Sequence, residues 1–250
     1  FNNGWDFYST VAIKAEKLEQ DKVNYPNGVS PDKKSPVYLK KIDPVKRNKA
    51  KAYSLGIAYG MEAYALGKSL DIDQKSAQIL VDGYLDGFPE LKAWRINSRQ
   101  HVKEHGSIKN KVGRVRHLPK VQRLYLKYGD QIMDWRYRNE LANTYGKEQV
   151  MSMYRDYRNG LNNCLNYQLQ SLAAAVVNRA AIQINRKLKE MGIDGRVQAQ
   201  VHDQLIINVP EHQAELVAPI IKEIMENTTQ LEGVTLKAPP ALAHNFRDGH

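Results

Sequence analysis

Four side chains between positions 47 and 60 recur at intervals of four residues and could together contact a nucleotide. They are Arg47, Lys51, Leu55 and Tyr59. This interval places them on one face of an α-helix. The two cations suit a polyphosphate, each well-formed contact contributing about 1.5 to 3 kcal/mol, and the apolar and aromatic side chains suit a sugar and a base. The alternative is a solvated basic face, because many exposed helices carry several cations.

The residues around this segment predict the helix that positions it. Asp43 offers a side-chain oxygen to the first free N–H groups of a helix, and Pro44 needs no such bond. Gly56 and Gly60 lack a Cβ and therefore predict that another part of the molecule approaches closely there.

A single carboxylate lies between two predicted strands in the segment from Arg196 to Val209. Apolar residues alternate on both sides of His202 and Asp203, which predicts a tight hairpin with these two residues in the turn. The tip of a hairpin fixes a side chain accurately and leaves it accessible, as a metal ligand for phosphoryl chemistry requires. Asp is also a common turn residue, so the turn alone leaves both interpretations open.

The longest helical pattern runs from Asn166 to Met191 and is followed by Gly192. Asn166 and Gln170 lie one turn apart near its beginning, so they share a face. The predicted buried stripe of this helix consists of Leu169, Leu172, Ala173, Val176, Val177, Ala180, Ile184 and Leu188.

Shorter elements follow from apolar periodicity and from Gly and Pro. Helices are predicted at 6–18 with Asp6 as N-cap, at 73–86, at 90–105, and at 211–229 with Leu216 among its buried residues. A loop is predicted at 21–36, an edge strand at 234–237, and a basic hairpin at 106–119 that carries Arg114 and Arg116. From 120 to 159 cations alternate with aromatic residues, which suits nucleic-acid binding; two amphipathic helices with half-buried tyrosines are the alternative.

The composition narrows the class of protein. A chain of 250 residues and 28.5 kDa can bury a full core, and its net charge of +10 attracts polyanions, most often nucleic acid, although charge alone leaves membrane surfaces open. The single cysteine, Cys164, excludes an internal disulfide framework and a zinc site built from several thiolates. No apolar run reaches the roughly 20 residues that span a bilayer. We therefore expect an intracellular, cytoplasmic protein without a membrane partner, and Phe1 at the start predicts a processed product or part of something longer.

Three of these segments resemble motifs of the family A DNA polymerases, in the family's order. RNKAKAYSLGIAYG at 47–60 resembles the fingers-helix motif, with Leu55 where the family usually has Phe or Tyr. NYQLQSLAAA resembles the Asn-x-x-x-Gln helix, with Asn162 where the family has Arg. VHDQ resembles the third catalytic motif, His-Asp-Glu, with Gln204 replacing Glu. WDFYSTVA also resembles the helix after the first catalytic strand, with Tyr8 replacing His.

The resemblance implies an α+β fold, with a helical fingers subdomain at 1–160 and a palm portion at 161–250 whose antiparallel sheet packs on helices. It implies a DNA-directed DNA polymerase that adds deoxynucleotides to a primer 3′ end on primer–template DNA. Arg47 and Lys51 would hold the dNTP triphosphate, Lys51 would also neutralise the leaving pyrophosphate, Tyr8 would donate to phosphate, and Leu55 and Tyr59 would pack at the nascent pair. Asp203 would bind metal, with two Mg²⁺ ions expected. DNA contacts would come from Arg114, Arg116, Asn166, Gln170, Gln200 and His202.

Two-metal chemistry needs a second carboxylate, which the family places on a strand just before the helix that matches residues 6–18. We therefore expect this chain to need an N-terminal polymerase piece that carries this carboxylate and the thumb, and to be inactive alone. A catalytically degenerate, nucleic-acid-binding accessory subunit is the alternative, suggested by the departures at Tyr8, Leu55, Asn162 and Gln204. An RNA polymerase of related fold is a third possibility.

Overall fold

The computed structural model describes residues 5–245 and 248. These residues form two compact units, the first ending at Gln168 and the second beginning at Leu169. In this part of the chain the fold is α+β, with mostly helical structure and two separate two-stranded antiparallel sheets. None of its helices is both long enough and apolar enough to cross a bilayer.

The first unit is built from short helices and one small hairpin. Its elements are α1 Phe7–Ala15, α2 Leu39–Ile42, α3 Pro44–Ala58, α4 Ala63–Leu70, α5 Gln74–Gly87, α6 Pro89–His105, β1 Ser107–Lys109, β2 Val115–His117, α7 Pro119–Tyr128 and α8 Trp135–Tyr145. Helix α9, Lys147–Glu190, continues into the second unit, which adds β3 Arg196–Val201, β4 Gln204–Asn208 and α10 Ala214–Asn227. Short 3₁₀ segments lie at Leu18–Gln20, Gly129–Met133 and Glu211–Gln213.

Helices α1 and α3 begin where capping chemistry predicts. The Asp6 side chain accepts from the Ser9 N–H, and the Asp43 side chain accepts from the Lys46 N–H at 2.9 Å, with Pro44 in the first turn. The buried faces of these helices share one core with α4 and α5, whose largest buried members include Val11, Leu18, Leu39, Tyr53, Ile57, Leu66 and Tyr84. This core fixes α3 by one face and leaves the other available.

A second core in the first unit joins α6, the β1–β2 hairpin, α7 and the first turns of α9. It contains Val102, Ile108, Val121, Ile132, Tyr157, Leu161, Cys164 and Leu165. Strand β1 pairs with β2 in the register Ser107↔His117, which confirms the predicted basic hairpin. The core therefore anchors the hairpin through Ile108, while the β2 side chains are exposed.

The second unit has a smaller core between the end of α9, the β3–β4 hairpin and α10. Its buried members are Ile184, Leu188, Ile193 and Val217. Strands β3 and β4 pair antiparallel, and the last pair, Val201↔Gln204, leaves only two residues in the turn. The predicted hairpin with His202 and Asp203 at its tip is confirmed.

Four predictions about secondary structure or burial were wrong. Helix α9 begins at Lys147 and not at Asn166, because Val150, Tyr157 and Leu161 give it a buried face that the interleaved cations obscure in the sequence. The segment 120–159 contains α7, α8 and the early turns of α9. It therefore holds three helices and not the two of the alternative interpretation.

The other two corrections concern the second unit. Leu169, Ala173 and Leu216 are exposed, since the apolar stripes of α9 and α10 are covered only in part. The edge strand predicted at 234–237 is not formed. Within this segment only Val234 makes a β-type contact, an isolated bridge with Leu231.

Candidate functional site

Helix α3 presents the predicted four-residue stripe on its uncovered face. Ala50, Tyr53, Ser54 and Ile57 are buried on the opposite face. Lys51 is exposed and 47% of Leu55 is exposed, whereas Arg47 and Tyr59 are partly buried. The first unit therefore positions a cationic half and an apolar–aromatic half of one helix face, in the order that the sequence predicts.

Arg47 is held by a carboxylate from α1. Its Nη2 donates to Asp6 Oδ1 at 2.9 Å and its Nε donates to Asp6 Oδ2 at 3.1 Å, which is a bidentate ion pair with 15% and 9% of the two side chains exposed. The N–H and hydroxyl of Ser9 donate to the same carboxylate. Burial raises the pKa of Asp6, but the hydrogen bonds from Arg47 and Ser9 outweigh burial and lower it to about 2.

Tyr8 brings the two stripe cations together over one ring. The Arg47 guanidinium lies 4.9 Å from the ring centroid, and the Lys51 ammonium lies 6.0 Å from it. Three of the predicted nucleotide-binding residues, Tyr8, Arg47 and Lys51, thus meet at the N-terminal half of α3. The sequence predicts Asp6 only as a helix cap, so its pairing with Arg47 is a feature that sequence reasoning missed.

The C-terminal end of α3 is closely packed. Tyr59 is its C-cap, and Gly60 has φ +94°; a Cβ there would lie 2.7 Å from Asn162 Oδ1. The buried Arg95 of α6 donates to the Ile57 carbonyl at 2.8 Å. Burial, with the nearby charge of Arg99, lowers the pKa of Arg95 to about 10. Gly60 therefore serves the close approach that the sequence predicts.

The basic hairpin exposes the predicted DNA-binding cations. Arg114 lies in its loop, where the Asn110 side chain accepts from the Val112 and Arg114 N–H groups and shapes the turn. Arg116 is exposed on β2 with its guanidinium 5.8 Å from the Tyr167 ring. The segment from 107 to 117 contains four cations and no carboxylate, so it attracts an anionic backbone.

The predicted amide pair lies on α9. The Asn166 Oδ1 atom is buried without a hydrogen-bond partner, which is costly unless a ligand or water supplies one. Gln170 is exposed one turn further along the same helix. The orphaned acceptor makes Asn166 a residue that still has a hydrogen bond to form.

The β3–β4 turn holds the predicted catalytic carboxylate. His202 has φ +54°, in the left-handed region, and Asp203 follows it with an exposed side chain. The Gln200 side chain donates to the His202 carbonyl at 3.3 Å, so three predicted residues are neighbours at this tip. Among residues 5–245 and 248 there is no group of three or more His, Cys, Asp or Glu that could hold a metal.

Comparison with known proteins gives a consistent set of relatives. The model of the DNA polymerase family A matches residues 32–248. DNA polymerase I of Bacillus caldotenax is 27% identical over 205 residues, which are 82% of this chain and 20% of that protein. DNA polymerase I of Pseudomonas aeruginosa is 27% identical over 214 residues, 86% of this chain and 20% of that protein. The chain thus spans about 20% of the length of these relatives.

A solved structure shares the fold. It is the POL domain of Pol1 from M. smegmatis in complex with DNA primer-template and dNTP, with a TM-score of 0.66 and 24% identity over 92% of this chain and 32% of that chain. Since the family model covers most of the sequence and the fold agrees with it, the chain belongs to the DNA polymerase family A.

Proposed function

We propose that this chain forms part of the active site for template-directed addition of deoxynucleotides to a primer 3′ end. The observation that carries the proposal is the meeting of Tyr8, Arg47 and Lys51 on the uncovered face of α3. Two cations beside an aromatic ring suit a triphosphate better than a neutral ligand. Membership of the family supports this reading, and the related M. smegmatis structure contains DNA primer-template and dNTP.

The two cations have different tasks in this proposal. Asp6 occupies the Nε and Nη2 edge of Arg47, so the Nη1 edge, 3.5 Å from Asn48 Oδ1, is the one left for a phosphate oxygen. Lys51 is exposed and can follow the phosphates, hold the triphosphate and neutralise the pyrophosphate as it leaves. The Tyr8 hydroxyl would donate to phosphate, and Leu55 and Tyr59 would pack at the nascent base pair.

Asp203 would hold divalent metal at the tip of the β3–β4 hairpin. An exposed carboxylate on a two-residue turn is a suitable oxygen ligand for Mg²⁺, which takes few protein carboxylates and completes its shell with phosphates and water. When bound, two such ions would stabilise the entering and leaving oxygens of the phosphoryl transfer. The chain's own part is to fix the position of this carboxylate.

The remaining assignments follow from the same proposal. Residues 1–160 would act as fingers and 161–250 as part of the palm. DNA would be contacted by the exposed cations of the basic hairpin, the α9 amides and the hairpin tip, namely Arg114, Arg116, Asn166, Gln170, Gln200 and His202. A polymerase portion outside these 250 residues, in the same or another chain, would supply the second carboxylate and the thumb. The proposed place of action is the cytoplasm, at replicating DNA.

The first experiment tests the carboxylate by primer extension with the polymerase assembled from this chain and the portion that carries the second carboxylate. Asp203→Asn should abolish extension and leave primed-duplex binding intact, because the amide removes a metal ligand but no DNA contact. Asp194→Asn, at another exposed carboxylate of the same unit, should extend normally. Near-normal turnover by the Asp203 variant would remove this residue from the active site. Extension by the 250-residue chain alone would contradict the need for the other portion.

A second experiment tests the nucleotide grip in the same assembled enzyme. Lys51→Ala should lower kcat/KM for dNTP at least about 10-fold, which corresponds to roughly 1.4 kcal/mol of lost transition-state stabilisation. Lys49→Ala removes an equal charge from the same helix at another exposed position and should have little effect. Equal effects of the two substitutions would indicate that the overall positive potential of α3 attracts the dNTP and that Lys51 is not a specific nucleotide contact.

One observation favours the alternative function, a nucleic-acid-binding accessory subunit without catalysis. The bidentate ion pair with Asp6 leaves Arg47 less able to bind a triphosphate than a free arginine. The accessory function predicts that primed DNA binds with the same affinity with and without the complementary dNTP. Tighter binding in the presence of that dNTP would favour the polymerase function.

A further inference from the structure

A second group of arginines lies beyond the C-terminal end of α3, away from the Tyr8–Arg47–Lys51 site. We call it the arginine cluster; it consists of Arg99 and Arg158 with Glu62 and Asn162. Arg99 Nη2 donates to Asn162 Oδ1 at 2.8 Å and lies 4.0 Å from Glu62 Oε1. Arg158 Nε lies 3.4 Å from Glu62 Oε2. One carboxylate is therefore shared by two guanidinium groups.

The arginine cluster is short of negative charge and of acceptors. The Nε atom of Arg99 is buried without a hydrogen-bond partner, and the Nε atom of Arg158 is buried with a long ion-pair contact to Glu62 Oε2 at 3.4 Å. The nearby buried Arg95 adds a third positive charge against the single Glu62. Desolvated guanidinium groups are costly unless an anion accepts from them. Since 25% of Arg99 and 31% of Arg158 are exposed, an anion from solution can reach the exposed part of each side chain, although not the buried Nε atoms.

The arginine cluster also continues the predicted DNA-contacting face of α9. Arg158, Asn162 and Asn166 follow one another at four-residue intervals within this helix, so they lie on one face. The Asn166 Oδ1 atom at the end of this row is buried and lacks a partner. The row therefore begins with a guanidinium held by a long ion-pair contact and ends with an unsatisfied acceptor, as expected of a face that is completed by a ligand with both kinds of group.

We propose that Arg99 and Arg158 bind a phosphodiester of the DNA backbone, with Asn162 as the positioning residue that holds Arg99. The proposal rests on the proposed function, which makes DNA the ligand. A dNTP triphosphate is a less suitable occupant, because Tyr59, the C-cap of α3, lies twelve positions after Arg47, about 18 Å along the helix. One triphosphate gripped at Arg47 and Lys51 would not extend to the arginine cluster.

The competing explanation is structural, since the same contacts join α6 and the early turns of α9 to the turn after α3. A structural role predicts a loss of stability on substitution and no specific change in DNA binding. If the arginines contact phosphate, their substitution should reduce the number of counterions released on binding. Each neutralised phosphate contributes about 0.9 to the slope of log K against log salt on duplex DNA.

The test measures binding of a primed duplex, without dNTP and over a series of salt concentrations, by the polymerase assembled from this chain and the portion that carries the second carboxylate. Arg99→Ala and Arg158→Ala should each weaken binding about 10-fold and reduce the salt slope by about 0.9. Arg99→Lys and Arg158→Lys keep the charge and should keep the slope. Asn162→Ala should weaken binding with an unchanged slope, because the charges are still present. Arg186→Ala, an exposed arginine in a later part of α9, is the charge-matched control.

The outcomes separate the two proposals. Wild-type slopes in both alanine variants, measured below their unfolding temperatures, would overturn the phosphate site even if the wild-type chain binds primed DNA. A slope change in Arg186→Ala as large as in these variants would also overturn it, because the effect would then be general. If the assembled wild-type polymerase fails to bind primed duplex at all, the proposed function fails first and the phosphate site with it.

Discussion

Replacing Asp6 by Asn tests the ion pair that holds Arg47, the first of the two proposed nucleotide-binding cations. The substitution removes the negative charge opposite Arg47 but keeps a side-chain oxygen for the Ser9 N–H, and Asn is as good an N-cap as Asp. The expected loss of stability is therefore the loss of a charged partner and not of a helix cap. Arg47, 15% exposed, is left without its carboxylate.

The magnitude follows from proton linkage. A folded pKa of about 2 against an ordinary value of 3.8 for Asp6 corresponds to roughly 2 kcal/mol of stability at pH 7. Because the folded pKa lies below the unfolded one, this contribution is complete well above pH 3.8 and is lost as the pH falls toward 2. At pH 3 about half of it should be left.

Urea unfolding of the wild type and of Asp6→Asn at pH 7 and pH 3 measures this difference. The variant should be less stable by roughly 2 kcal/mol at pH 7 and by about half as much at pH 3. Asp73→Asn is the matched control, because Asp73 caps α5 through Lys75 and Ser76 and has no arginine partner. A pH-independent destabilisation, or an equal loss in the Asp73 variant, would refute the ion-pair argument.

Two further predictions concern packing. Gly60→Ala should destabilise the first unit by more than about 1 kcal/mol in a thermal melt, because Gly60 has φ +94° and the added Cβ would lie 2.7 Å from Asn162 Oδ1. Gly28→Ala is the control: Gly28 has φ +81° but nothing within 4 Å of an added Cβ, so this variant should show only the cost of the backbone conformation. Leu165→Ala should lower the free energy of unfolding by about 3 kcal/mol since Leu165 is fully buried, whereas Leu126→Ala, 74% exposed, should change it by less than about 0.5 kcal/mol.

Local chemistry was sufficient to predict the elements that carry the site. The predicted caps Asp6 and Asp43 each mark a helix start in the structure, and the two-residue turn at His202 and Asp203 is where alternation predicts it. These features depend on residues a few positions apart, so the sequence contains all the information that they need.

Features that depend on tertiary cover were less predictable. In the first five turns of α9, cations lie between the apolar residues and hide the helical repeat of buried positions. The repeat is recognisable only when the burial of Tyr157 and Cys164 is known. Leu169 and Leu216 repeat with the period of buried residues but lie outside the part of each stripe that is covered. Amphipathic spacing identifies a face of a helix and leaves open how much of it is buried.

Pairing between distant side chains was not predictable from spacing. Asp6 and Arg47 are 41 positions apart, and Arg99 and Asn162 are 63 positions apart. Each pair meets because the helices that carry its members pack through apolar residues elsewhere on their surfaces. The sequence predicts Arg47 as a phosphate-binding cation, but only the packing of α1 against α3 shows that a carboxylate already holds one edge of it.

That carboxylate changes the physical interpretation of the nucleotide grip. A free arginine would lose side-chain entropy when it binds phosphate, whereas Arg47 has already been ordered by two hydrogen bonds to Asp6, and Tyr8 lies over its guanidinium plane. However, Asp6 occupies one of the two bidentate edges of Arg47 and neutralises its charge. Arg47 would therefore orient a triphosphate by hydrogen bonds more than it would neutralise the negative charge. Lys51, exposed and unrestrained by any carboxylate ion pair in the described part of the chain, is then the residue that supplies the uncompensated charge. In the proposed site, preorganisation by Asp6 and neutralisation by Lys51 would therefore be separable contributions, which is why Asp6→Asn should reduce stability and Lys51→Ala should reduce kcat/KM.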